Sequence, residues 1–146
     1  ASLQVPFKVG QQSLQYLAEW RMQHSQKPLT PQDRFSIGNR YTVRGFDGEQ
    51  TLLADNGLLI RNELSGSIPK LPMQWYAGVD YGEVGGQTAH EPNPLLGTSL
   101  MGAVVGLRGQ AFKSVSYDLF MGTPLKKPDR YKTDNVTTGF NLNWMY

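Results

Sequence analysis

Hydrophobic and polar positions alternate along most of this chain. Residues 1–9 put Leu3, Val5, Phe7 and Val9 on one face and Ser2, Gln4 and Lys8 on the other. A period of two is the pattern of a half-buried strand. Pro6 interrupts it, as an edge or bulge residue would. Residues 13–25 repeat the pattern, with Leu14, Tyr16, Ala18, Trp20 and Met22 against Ser13, Gln15, Glu19, Arg21 and Gln23. Residues 57–68 group Leu58, Ile60, Leu64 and Ile68, with Asn62 as the exception, and set Arg61 and Glu63 opposite. Four more strands are predicted over 73–84, 98–109, 111–121 and 135–146. Their connections alternate. Gly10–Gln12, 69–72 and a turn near Gly109-Gln110 are short; 26–56, 85–97 and 122–134 are long. No stretch predicts a helix longer than a turn or two.

Long strands with one apolar face, joined by alternating short and long connections, are the pattern of an outer-membrane barrel. The polar faces collect Glu19, Arg21, Arg61, Glu63, Asp80, Arg108 and Asp118. The apolar faces carry no charge in their central parts, where one would cost ~2–4 kcal/mol at the bilayer midplane. Trp20, Trp75, Tyr81, Tyr117, Trp144 and Tyr146 lie on the apolar faces, several near strand ends where aromatic girdles sit. The fold expected is therefore all-β, a transmembrane antiparallel β-barrel whose polar faces line a lumen. Alternation alone leaves open a soluble β-sandwich or a lipocalin-like barrel, in which the apolar side would face a core.

Composition adjusts this picture. Sixteen glycines and many aromatics (Trp 3, Tyr 7, Phe 6) accompany only 39% hydrophobic residues, as expected when every second strand residue faces water. No cysteine is present, which excludes disulfides, thiolate metal sites and a thiol nucleophile. A net charge of +2 gives no electrostatic case for nucleic acid. His24 and His90 are far apart, so no metal site is expected. The glycines at 45, 48, 85 and 86 are not followed by the G-K-[ST] of a phosphate loop. No cofactor and no catalytic group are expected. The opening run Ala1-Ser2-Leu3-Gln4-Val5 is already strand-like, so the chain reads as a piece of a longer protein.

The connection 26–56 is long for a compact fold, and such loops are usually functional or disordered. Phe35, Ile37, Tyr41, Val43 and Phe46 argue for order. At its centre Val43-Arg44-Gly45-Phe46 sets a planar, permanently charged fork beside a glycine that permits a turn or a close approach. The chain closes on Gly139, Phe140, Leu142, Trp144 and Tyr146, an alternating strand with a terminal aromatic. That ending resembles the signal read by the bacterial barrel-assembly machinery.

The run R-F-S-I-G-N-R-Y-T-V-R-G-F-D-G-E-Q at 34–50 resembles the two-partner secretion transporters. So do D-N-G at 55–57, R-N-E-L at 61–64 and Y-D-L-F-M-G-T-P-L at 117–125. These are the haemolysin-secretion, filamentous-haemagglutinin and contact-dependent-inhibition transporters, and the resemblance runs over essentially the whole chain. It implies the C-terminal part, roughly seven strands, of an expected sixteen-stranded barrel in the Gram-negative outer membrane. The periplasmic transport-associated domains would lie outside this chain. It implies export of a large unfolded exoprotein without catalysis, with Arg44 at the tip of an in-folded extracellular loop. Asp80, between Gly78 and Gly82, matches the family's lumen-wall partner; Arg61 or Arg108 could instead hold that carboxylate. The partners implied are the exoprotein, outer-membrane lipid, the assembly machinery and the rest of the barrel. A barrel-assembly insertase, a passive outer-membrane pore and a soluble partner-binding β-domain are the other functions compatible with these residues.

Overall fold

The computed structural model describes residues 1–86, 97–111 and 114–144, and among them there is no helix. Seven strands form one antiparallel sheet. They are β1 (Ser2–Val9), β2 (Gln12–Gln23), β5 (Asn56–Ser67), β6 (Met73–Gly85), β7 (Ser99–Ala111), β8 (Val115–Lys126) and β9 (Thr137–Trp144). Spatial order follows chain order, β1-β2-β5-β6-β7-β8-β9, as in a meander. A separate two-stranded sheet, β3 (Phe35–Ile37) with β4 (Leu52–Ala54), lies within the connection from β2 to β5.

The predicted alternation holds in every long strand, with shifts at the ends. β7 continues to Ala111, beyond the turn expected near Gly109-Gln110. β8 continues through Pro124 to Lys126, where a loop from residue 122 was expected. Proline has no N–H to donate, and the ladder accommodates it by a register shift between Met101 and Gly102, whose partners are Lys126 and Pro124. His90 and Tyr146 lie outside the described residues.

One face of the sheet is bare. It exposes Val79, Val105, Leu107, Leu119, Met121, Phe140, Leu142 and Trp144 along β6–β9, and Leu3, Val5, Phe7 and Val9 on β1. A contiguous apolar surface of this extent is foreign to a water-facing protein. Asn62, a polar side chain in the middle of β5 on this face, is satisfied locally. The Tyr16 hydroxyl donates to its Oδ1 (2.7 Å), and its amide donates to the Val79 carbonyl (3.3 Å). That pairing is how an amide is accommodated among apolar neighbours.

The other face carries the folded connection. A buried core joins loop residues Phe35, Ile37, Val43, Phe46, Leu52 and Ala54 to Leu59, Val84 and Leu100 of the wall, and to Tyr131 of the β8–β9 connection. The expectation of a uniformly polar inner face is thus corrected. Under the loop's hydrophobic side chains the wall presents Leu59, Val84, Leu100 and glycine, and under the loop tip it keeps the buried carboxylates Asp80 and Glu63. Each fully buried side chain of Phe size contributes about 1.5–3 kcal/mol. That is why the segment is ordered despite its length. Tyr41, expected among the ordered apolar set, is instead 73% exposed, since it tops the turn before Arg44.

Candidate functional site: the loop tip on the inner wall

Local chemistry shapes the tip first. The Thr42 hydroxyl accepts from the N–H groups of Gly38 (3.1 Å) and Asn39 (3.2 Å). The Asn39 side chain accepts from the Tyr41 N–H at 2.9 Å. These side-chain bonds replace a ladder and tie residues 38–42 into a compact turn. Gly45 then takes φ +105°, a backbone conformation in which a Cβ would also sit 2.5 Å from the Thr123 carbonyl. Only glycine fits there.

The turn aims Arg44 at the wall. Its Nε and Nη2 donate to Asp80 Oδ2 (2.7 Å) and Oδ1 (2.8 Å), a bidentate fork. Its own backbone N–H donates to Asp80 Oδ2 at 2.9 Å. Its third nitrogen, Nη1, donates to Glu63 Oε2 at 2.5 Å. Asp80 has no accessible surface, and Arg44 and Glu63 are 9% and 8% exposed. Burial by itself would lower the Arg44 pKa. The two carboxylates outweigh it and hold the guanidinium's pKa above its ordinary value.

Register builds the rest. Glu19, Arg61 and Asp80 are direct cross-strand partners on β2, β5 and β6. Arg61 reaches Glu19 at 3.4 Å and Asp80 at 3.8 Å. Arg108 pairs with the other oxygen of Glu63 at 2.9 Å and lies over the Tyr76 ring, whose hydroxyl donates to Asp118 at 2.7 Å. Six of the seven wall charges read from the sequence therefore join one network around Arg44. Arg21 does not take part in those ion pairs; its guanidinium stacks over Phe35 at 5.0 Å. The competing assignment of Asp80 to Arg108 is not what forms, and Arg61 is a distant second partner.

The wall makes room with missing side chains. A Cβ on Gly78 would lie 2.6 Å from Arg44 Nη2, and one on Gly82 2.8 Å from Val43 Cγ2. On Gly102 it would fall onto the Arg44 carbonyl oxygen, and on Gly122 it would lie 2.7 Å from Gly45 Cα. These glycines, from β6, β7 and β8, form a trough in which Val43–Gly45 lies. Phe120 and Asn141 extend it. Arg40 donates to Asn141 Oδ1 at 2.6 Å and sits over the Phe120 ring at 5.5 Å.

Sequence reasoning named Glu63 only as a lumenal charge and missed Arg40, Asp47 and Tyr131. The signal for Glu63 was present, since it shares the face of Arg61 one step along β5. Nothing local marks Arg40 or Tyr131, whose partners lie some 80–100 residues away. Gly139, Phe140, Leu142 and Trp144 lie on β9; Phe140, Leu142 and Trp144 point to the bare face.

Known proteins resemble this chain throughout its length. The family model described as haemolysin secretion/activation protein ShlB/FhaC/HecB matches residues 1–109. Outer membrane transporter CdiB-2 of Burkholderia pseudomallei (strain 1026b) is 43% identical over 145 residues, covering 97% of this chain and 24% of that protein. Among solved structures, CdiB from Acinetobacter baumannii superposes with a TM-score of 0.88 at 41% identity, over 99% of this chain and 26% of that one. CdiB from Escherichia coli gives 0.83 at 29% identity, over 98% and 26%. The chain spans about a quarter of the length of these relatives.

Proposed function

This chain belongs to the haemolysin secretion/activation protein family, and from that premise we propose that it is one arc of an outer-membrane transporter wall together with the loop that plugs it. The bare face meets lipid and the loop-bearing face lines the conduit. The arc is the C-terminal part of a larger barrel, and the remaining strands close its two edges, β1 and β9. The cargo is a large exoprotein that crosses unfolded. No bond is made or broken, so transport needs only a wall, an entry and a plug that can leave.

The observation that carries this reading is the bidentate seat of Arg44 on the fully buried Asp80, at the tip of a loop folded against the inner wall. A loop held by a few ion pairs in a glycine trough can dock and undock as a body. A structural element of the wall would be tied by continuous backbone pairing instead. Phe140, Leu142 and Trp144 serve the assembly machinery, which reads the outward aromatic and apolar pattern of the closing strand.

The test is export of the exoprotein by cells making the full-length transporter, wild type against Arg44→Ala. Barrel abundance is monitored by heat-modifiable mobility. Lost export with a normal barrel is the expected result. Unchanged export would remove Arg44 from the transport machinery and return the insertase and passive-pore readings to the front.

A further inference from the structure

The plug loop has a second seat besides Asp80. Directly after the Arg44 motif, Asp47 Oδ2 accepts from the backbone N–H of Asp134 (2.8 Å) and from the Thr133 hydroxyl (3.0 Å). Its other oxygen accepts from the Glu49 N–H at 3.0 Å. Burial would raise the Asp47 pKa, but these donors outweigh it and hold the carboxyl below its ordinary range. Three residues on, Gln50 Oε1 accepts from the Lys132 N–H at 2.8 Å, and the Gln50 carbonyl accepts from the Tyr131 hydroxyl. The Tyr131 ring, 2% exposed, meets Phe46 edge-on, with centroids 5.6 Å apart at 87°.

Apart from the Glu49 N–H, which is the loop's own, these partners come from one segment, the connection between β8 and β9. Within it Tyr131 faces inward, while Lys127, Asp129, Arg130, Lys132 and Asp134 are exposed. A connection that only linked two strands would have no need of a fully buried aromatic in the loop's core.

We propose that Asp47 and Tyr131 are positioning residues: residues 127–136 form a strap that holds the plug loop in its trough, so that the tip is released only when both the strap and the Arg44 seat let go. This rests on the plug reading above. It adds the second holding point and the residues that make it.

The test uses the full-length transporter in the outer membrane, with Val43→Cys as reporter. Val43 has no accessible surface in the docked loop, and this chain contains no cysteine of its own. The labelling rate by a membrane-impermeant maleimide is measured alone and with Asp47→Ala, Tyr131→Ala, Thr133→Val or Thr133→Ser. Folding is checked by heat-modifiable mobility. Labelling is expected to rise about tenfold or more in Asp47→Ala, the scale of losing hydrogen bonds to a charged acceptor. Tyr131→Ala should behave alike, Thr133→Val should rise less, and Thr133→Ser, which keeps the hydroxyl, should match the parent. Unchanged labelling in both alanine variants would overturn the strap, whatever happens to export. Raised labelling with unchanged export would uphold the strap and count against the plug as the gate.

Discussion

The Arg44–Asp80 contact permits a quantitative prediction. Asp80→Asn keeps the volume of the side chain and removes its charge. The loop then loses the anionic half of a pair in which Asp80 has no accessible surface and receives three bonds from Arg44. Breaking a buried pair by removing one partner costs ~3–5 kcal/mol, because the other charge is stranded. Here Glu63, 2.5 Å from Nη1, stays behind as a second counter-ion, though it shares its charge with Arg108. That places the cost at the lower end, about 3 kcal/mol, or roughly a hundredfold in the docking equilibrium of the loop. Arg44→Met removes the guanidinium but leaves the backbone bond to Asp80, so a double-mutant cycle isolates the ion pair. The readout is the labelling rate of the Val43→Cys reporter in the full-length transporter, converted to a docking free energy. The double variant should fall short of the sum of the singles by at least about 1.5 kcal/mol, the scale of coupling expected for groups in direct contact. Additivity within ~0.5 kcal/mol would refute a direct pairing and leave Arg44 acting through Glu63 alone.

Two further predictions test the wall. Gly102→Ala puts a methyl group onto the Arg44 carbonyl oxygen while leaving the strand ladder intact. It should raise Val43→Cys labelling, and depress or deregulate export, with unchanged heat-modifiable mobility. Val105→Lys places a charge mid-strand on the bare face, where it should cost about 2–4 kcal/mol in lipid. Less folded barrel should then be recovered. Gln110→Lys, on the inner face of the same strand, is the matched control and should fold normally.

What was legible in the sequence was whatever depends on neighbours one or two residues apart. Alternation identified all seven strands of the sheet and sorted their faces, since successive side chains must point to opposite sides. The same parity set Asp80, Glu63, Arg61 and Arg108 on one surface. The short segments β3 and β4 were not legible, because three-residue strands carry too little periodicity. The inner-wall positions Leu59, Val84, Leu100 and Val104 were also not anticipated, because a polar lumen was expected.

Tertiary structure alone decided the pairings. Arg44 is 36 residues from Asp80 and 19 from Glu63, and which carboxylate takes which nitrogen depends on cross-strand register. Asp47 and Thr133 are 86 residues apart and meet only because one connection folds inward and another lies over it. The strands were thus determined by a local repeat. The seat of the loop was decided by the shape of the wall, where glycines leave a trough and buried carboxylates leave a charge that Arg44 neutralises.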